Sequence, residues 1–384
     1  MTQVIKLKEI YLDNSATTMV CPEACKKAVE LMTIKYGNPS SLHSKGFEAS
    51  RELEAARKAA AELLGADTGE IYFTSGGTES NNTAIYGAAG ALARRGRKIV
   101  TTAFEHSSVI ETAQDLGSKG YEIVYLPPDT NGRISLEQLA EAVDKNTVLV
   151  SIMAVNNETG AIQPIESVRR IIDRSGSPAL FHVDAVQAFG KLPLKPKKTG
   201  IDLLSASSHK IHGPKGAGIL YVRKGVRILP LHHGGEQEKR LRPGTEAVPL
   251  ICAMGEAIKA LPDMKQELRF METLNSRCRE GLTKLGNVHI NSGEDCLPYI
   301  INFSVEGIRS ETMLHFLASK GIFVSSGSAC ARGKKSHVLE AMGLSPRLID
   351  SAVRVSFSRY NTAEDVDELI KEIINADNTL ARSK

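Results

Sequence analysis

The stretch Ala179–Val222, ALFHVDAVQAFGKLPLKPKKTGIDLLSASSHKIHGPKGAGILYV, decides the fold class. Three short apolar runs, Ala179–Val183, Asp202–Ala206 and Gly218–Val222, alternate in it with polar connections rich in Gly, Pro and Lys. The first run ends on Asp184 and the second on Ser207, Ser208, His209 and Lys210. The same alternation reaches back through Ile71–Thr74, Lys98–Thr102, Tyr121–Tyr125 and Thr147–Met153, with helical segments between. Seven short strands separated by helices predict an α/β protein with a largely parallel sheet covered by helices. Runs such as VLVSIMAV are apolar at consecutive positions, as strands buried on both faces must be. Upstream, Phe47–Leu64 is rich in Ala, Glu and Leu at helical spacing and closes on Gly65, which predicts an amphipathic helix. After about residue 246 the pattern changes to a long helical stretch, Ala247–Leu285, then strands near Val288, Tyr299–Ser304 and Val353–Phe357 among helices. That predicts a second, smaller α+β unit.

Composition narrows the function classes. The chain has 384 residues, 42% hydrophobic and 24% charged, with a formal net charge of +4. This is the balance of a folded globular protein, not a disordered or fibrous one. The cations are interleaved with anions, so nothing calls for a nucleic-acid partner. No apolar stretch approaches the roughly 18–20 residues needed to span a bilayer, and MTQVIKLKEIYLD lacks the apolar core of a signal peptide. A cytoplasmic enzyme without membrane contact is expected. Six cysteines, at 21, 25, 252, 278, 296 and 330, form no CxxC pair and are too sparse for a disulfide scaffold. Cys21 and Cys25 are expected as buried or half-buried helix thiols.

Four segments could carry chemistry. Thr74–Asn82, TSGGTESNN, follows a strand and opens a helix, where free N–H groups and the positive end of the dipole suit a phosphate. It matches neither the P-loop nor the dinucleotide fingerprint, and a helix start capped by Thr78 with Glu79 would explain it equally well. Asp184, at the C-terminal end of a strand, would point into the ligand crevice of an open α/β sheet or cap the following helix. Lys210 emerges from DLLSA into the Gly-Pro-rich loop SASSHKIHGPKGAG, one strand–connection–strand step from Asp184. A Schiff-base lysine, an aspartate for a pyridinium nitrogen and a helix start for a phosphate are together what pyridoxal phosphate requires. Finally, Ser325–Arg332, SSGSACAR, places Cys330 among small residues beside Arg332, Lys334 and Lys335, charges that favour a thiolate. A zinc site built from His209, His212, His232 and His233 is the rival; neither pair sits in H-E-x-x-H, and zinc would leave Lys210 and Asp184 without a role.

In this order YLDNSATT, YGNPSSLH, FTSGGTESNN, EHSSV, VNNETGAIQP, HVDAVQ, SSHKIHGPKG, RPGT, SSGSAC and VRVSFSRYNT run along the chain. So arranged, the sequence resembles the NifS/IscS-like cysteine desulfurases, pyridoxal-phosphate enzymes of the class V aminotransferase type. The resemblance implies the aspartate aminotransferase-like fold of pyridoxal-phosphate transferases, with a large domain, 15–257, and a small domain, 1–14 with 258–384, that carries the Cys330 loop. It implies a homodimer with two active sites at the interface. Lys210 would bond the cofactor, Asp184 would hold its pyridine nitrogen protonated, Gln187 would bond its phenolic oxygen and His106 would stack on its ring. Gly77, Thr78, Ser207 and His209 would hold the phosphate, completed by Thr245 from the other subunit. Asn157 and Arg354 would fix the substrate carboxylate, and Asn14 would line the site. Cys330 would take the sulfur of L-cysteine as a persulfide, leaving L-alanine, and pass it to an acceptor protein for iron–sulfur cluster assembly or for thiolation of a cofactor or tRNA. Selenocysteine lyase and a class V aminotransferase acting on another amino acid are the alternatives, and a non-enzymatic scaffold is a third. Where relatives commonly read HGGGQE, this chain has HGGEQE, and Arg240 and Pro243 stand where Gly and Ser are frequent. Glu236 is therefore expected to alter the grip of the loop that carries Thr245.

Overall fold

The computed structural model describes residues 9–326 and 335–381. The chain enters through a short strand, β1 (Ile10–Tyr11), and then builds a seven-stranded sheet from β2 (Ile71–Thr74), β3 (Lys98–Thr102), β4 (Glu122–Leu126), β5 (Thr147–Met153), β6 (Leu180–Asp184), β7 (Leu203–Ser207) and β8 (Gly218–Val222). The strand order is β2-β8-β7-β6-β5-β3-β4. Neighbours from β7 to β4 are all parallel, and only β8 runs against its neighbours. This is the mostly parallel sheet that the alternation of strands and helices predicts. All seven residues of β5 are buried, as a strand covered on both faces requires. Strands β4, β6 and β7 each begin one residue later than their hydrophobic runs suggest, which brings Asp184 and Ser207 into the last position of β6 and β7.

Helix α1 (Pro22–Thr33) packs on the helix Val248–Lys259, while α2 (Ser44–Leu64), α3 (Gly77–Ala91) and α4 (Ser107–Ser118) pack against this sheet. α2 starts three residues before the predicted Phe47, because the His43 side chain accepts the Gly46 N–H and caps it there. Cys21 is buried, at the N-cap of α1, but Cys25 is exposed, a correction to the expected pair of buried or half-buried thiols: Cys21 has extended backbone before the first turn, so its side chain does not share the helix face of Cys25.

The second unit holds a three-stranded antiparallel sheet of β9 (Val288–Ile290), β10 (Ile300–Val305) and β12 (Ala352–Ser356), while β11 (Ile322–Phe323) pairs with β1. The helical stretch predicted as one element is two, Val248–Lys259 and Met264–Leu282. Pro262 cannot continue a helix, and Asp263 caps the second by accepting the Lys265 and Gln266 N–H groups at 3.1 and 3.0 Å. Residues 10–18 join the two sheets: the N–H of Ile10 bonds Gly321, that of Asn14 bonds Ser356, and that of Thr18 bonds His209.

The loop bearing Thr245 is pinned by an internal ion pair. Glu238, Lys239 and Arg240 all lie in the left-handed region, at φ 45°, 55° and 67°, a conformation that glycine adopts at lower cost. The buried Glu238 carboxylate accepts Arg57 Nη1 and Nη2 at 2.9 and 2.8 Å and the Phe73 N–H at 2.9 Å. Glu236 pairs with Arg240 on the surface, so its extra carboxylate is neutralised locally. Replacing Glu238 with Gln leaves the Arg57 cation with only the exposed Glu54, on its Nε at 3.0 Å, as counter-charge and is expected to cost about 3 kcal/mol in denaturant unfolding; Arg240→Gly is expected to gain roughly 0.5–1 kcal/mol.

Candidate active site

In a parallel sheet, chain segments leave the C-terminal edge together, and the loops there face one crevice. Ser75–Thr78 follow β2, Glu105 and His106 follow β3, Asn157 follows β5, Asp184 ends β6, and Ser207–Lys210 end β7 and the short 3₁₀ turn after it. The sheet thus brings together the residues singled out from TSGGTESNN, EHSSV, VNNETG, HVDAVQ and SSHK.

Lys210 is half-buried, and its Nζ donates to the Ser15 carbonyl and, at 2.8 Å, to the Ala16 carbonyl. Neither acceptor is charged. Burial, reinforced by Arg354 and Lys191 and opposed by Asp13 and Asp184, lowers its pKa to about 7, so a large share of the amine is neutral at physiological pH. Asp184 is buried; its Oδ2 accepts Asn81 Nδ2 at 2.7 Å and its Oδ1 the Val186 N–H at 2.9 Å. No helix follows directly, so the helix-capping alternative does not hold: one carboxylate oxygen closes a turn on Val186 and the other is fixed by a side chain from α3. The Asn81 amide also donates to Ser108 Oγ at 2.9 Å. That hydroxyl meets His106 Nδ1 at 2.8 Å, and the same Nδ1 accepts the Ser108 N–H at 3.1 Å. An accepting Nδ1 puts the neutral ring's proton on Nε2. Burial pushes the His106 pKa down, against the pull of Asp184.

The start of α3 is an anion cradle. Gly76 is its N-cap with no side-chain cap, so the Thr78 cap offered as an alternative is absent, and Glu79 instead accepts the Ser75 N–H at 3.0 Å. A Cβ on Gly77 would lie 2.7 Å from Val186 Cγ2 and one on Gly218 would lie 2.6 Å from the Gly76 Cα. Only glycine lets this turn sit so close to the β6 and β8 ends. Ser207 Oγ lies beside it, 3.9 Å from where a Gly76 Cβ would be.

On the opposite side Arg354, 2% exposed, donates Nη1 to the Asn157 carbonyl at 2.9 Å and Nη2 to Asp13 Oδ1 at 2.7 Å. Gln187 Nε2 donates at 3.0 Å to the Ser15 carbonyl that also receives Lys210. His209 faces Thr17 Oγ1 at 3.3 Å, and burial with the Lys210 charge lowers its pKa to about 4. The Asn14 amide is spent on the Ser356 carbonyl at 2.8 Å and on Tyr11 and Asn361 at 3.3 Å, so it fixes the turn that presents Ser15. Exposed Thr245 stands apart, in a groove of about 310 Å³ with Tyr36, Pro39 and Pro249. Cys330 lies outside the described residues. The chain on either side of it is tied to the site: Ser325 exchanges backbone hydrogen bonds with Arg354, Ser336 Oγ donates to Glu158 Oε2 at 2.5 Å, and His337 Nε2 meets the Glu105 carbonyl at 2.9 Å. Asn81, Asp13 and Glu158 were not singled out from the sequence. Each lies inside a quoted motif, but only the folded register shows that their side chains turn inward.

An α/β crescent of strand ends around a half-buried lysine whose hydrogen-bond acceptors are all backbone carbonyls defines a Schiff-base type of enzyme. Residues 10–369 match the sequence family "Aminotransferase class-V". The chain is 44% identical over 374 residues to "Cysteine desulfurase IscS" of Methanosarcina thermophila, covering 96% of this chain and 92% of that one. Among solved structures, "NIFS-LIKE PROTEIN" superposes with a TM-score of 0.92 at 42% identity, covering 97% of this chain and all (100%) of that one. "SspA in complex with cysteine" superposes with a TM-score of 0.81 at 34% identity, covering 92% and 100%. The chain belongs to the class V aminotransferase family, whose members are pyridoxal-phosphate enzymes of the aspartate aminotransferase-like fold. The residues present fit that cofactor: an uncapped glycine turn beside Ser207 for the phosphate, Asp184 held by Asn81, and an amine with only carbonyl partners. Cofactor capture by the cofactor-free protein is expected to rise with pH and level off just above 7, where the neutral amine dominates, and not near the ordinary lysine value of about 10.4; stopped-flow absorbance measures this. Gly77→Ala is expected to weaken cofactor binding at least tenfold in an equilibrium titration.

Proposed function

We propose that the protein is a cysteine desulfurase that converts L-cysteine to L-alanine, holds the sulfur as a persulfide on Cys330 and hands it to an acceptor protein. One observation carries this beyond a general class V reaction. The chain segments flanking Cys330 are bonded to the substrate side of the site, Ser325 to Arg354 and Ser336 to Glu158. In an ordinary aminotransferase a cysteine so placed has no task.

Pyridoxal phosphate, when bound, supplies an electron sink for charge left at the substrate α-carbon. The remaining work belongs to side chains. Gly77 and Thr78 N–H groups and Ser207 hold the phosphate, with His209 beside Lys210 and Thr245 reaching the partner's site. Asp184, fixed by Asn81, would hold a proton at the ring nitrogen, Gln187 would bond the phenolic oxygen, and His106 would stack on the ring with its Nε2 proton available. Arg354 and Asn157 would grip the substrate carboxylate, and Asn14 acts through the turn it anchors. As a neutral amine, Lys210 Nζ would accept and return the α-proton. The Cys330 thiolate then attacks the substrate sulfur: an S–S bond forms, the C–S bond breaks, and its electron pair stays on the carbon that takes up a proton to become alanine.

The same proposal includes the division into a cofactor unit, 15–257, and a smaller unit, 1–14 with 258–384, and a homodimer. In support of the dimer, Val29, Met32, Ile34, Tyr36, Leu42 and Phe47 are exposed, Leu42 at 90% and Tyr36 at 69%, beside the groove that holds Thr245. A patch this apolar is unusual on a free surface. No helix among the described residues is long and apolar enough to cross a membrane, and the five described cysteines are unpaired, which suits the reducing cytoplasm.

Purified, cofactor-loaded protein given L-cysteine and a reductant is expected to release alanine and sulfide in equal amounts. Cys330→Ser is expected to bind cofactor and cysteine yet form no persulfide; pyruvate in place of alanine would contradict the assignment. Sedimentation at micromolar concentration is expected to show two copies, and a monomer would remove Thr245 from the site.

A further inference from the structure

Lys191 lies one turn beyond Gln187, in the turn that follows β6. It is buried, 8% exposed. Its Nζ meets Gln187 Oε1 at 3.4 Å and stands 5.2 Å from the centre of the Tyr299 ring. Among the described residues it has no ion-pair partner; Glu267 acts on it only at longer range and is itself bonded to Tyr299. Burial lowers its pKa to about 8, with Glu267 opposing and Arg354 adding, so it is still mostly a cation at neutral pH. A buried ammonium with one long hydrogen bond and a ring face is a costly way to fill space that Met or Leu could fill.

Two consequences follow from its place. An ammonium can only donate, so it selects the oxygen end of the Gln187 amide and turns Nε2 the other way, to the Ser15 carbonyl at 3.0 Å. That carbonyl also accepts Lys210 Nζ. Gln187 therefore presents a donor, not an acceptor, next to the Lys210 amine. Second, the charges facing Lys210 are Arg354 and Lys191 of one sign and Asp13 and Asp184 of the other, with His209 alongside and also affected by Lys191. A cation next to a buried amine favours its neutral form.

We propose that Lys191 is a positioning residue of the cofactor site: its ammonium holds the Gln187 amide with Nε2 toward Lys210, and it sets a second positive charge behind the Lys210 amine that favours the neutral, nucleophilic form. This rests on Lys210 being the cofactor-bonding amine, and it holds whichever amino acid the enzyme consumes.

The test uses the full chain freed of cofactor. Lys210 acetylation by acetic anhydride is followed against pH by peptide mass spectrometry in the wild type, Lys191→Met, Lys191→Gln and Lys191→Arg, with folding checked by circular dichroism. The midpoint is expected to rise by about one pH unit in the Met and Gln variants and to return to the wild-type value in the Arg variant. A residue that merely filled space would leave the midpoint in place, so an unchanged midpoint in a folded neutral variant overturns the proposal, as does an equal rise in Lys191→Arg. Lys191→Gln, which can still donate to Gln187, carries the test if the Met variant does not fold. In the loaded proteins the pH midpoint of the cofactor absorbance is expected to move the same way; a cofactor band that titrates as in wild type would also count against it. Failure to turn over cysteine would bear on the substrate and leave these titrations unaffected.

Discussion

The Lys210 amine is held by two backbone carbonyls and by no carboxylate, and much of the structure serves that arrangement. A carboxylate would keep the ammonium charged; carbonyls orient it while burial and neighbouring cations keep it ready to lose a proton. The carbonyls come from Ser15 and Ala16, so the N-terminal segment must be pinned first. It is pinned at both ends, by Asn14 on Ser356 of the second unit and by Thr18 on the His209 carbonyl of the first. One short turn therefore couples the two sheets to the reacting group.

Around it lies a buried polar network that is worth more as geometry than as stability. Asp184, Asn81, Ser108 and His106 form a continuous hydrogen-bonded chain across α3, α4 and the end of β6. Such networks stabilise little in net terms but penalise any rearrangement that leaves a member unpaired. Glu105 and Glu158, both buried and both pushed upward by burial, extend the same principle to the segments flanking Cys330. Their neighbours His337 and Ser336 bond to the first through its carbonyl and to the second through its carboxylate.

The legible part of the sequence is the part whose physics is local. Apolar runs located seven strands within one residue, and Lys210, Asp184 and the glycine turn stand out because residue type and strand-end position suffice to mark them. The helix break at Pro262 was legible in principle, since proline has one reading inside a helix, but apolar spacing ran past it. Other features depend on register or on distant partners. Asp13 meets Arg354 across 341 positions of chain, Asn81 shows its role only once α3 is placed beside β6, and Lys191 looks like a surface lysine until the fold buries it. The left-handed run at Glu238–Arg240 is held by Arg57, far away in sequence, so no local signal announces it.

The most direct test is a single turnover with L-cysteine labelled at sulfur, quenched and mapped by peptide. The label is expected on the peptide that contains Cys330, at one sulfur per subunit. Alanine formed with the label on Cys25 or another thiol, or on none, would contradict the proposed route of the sulfur.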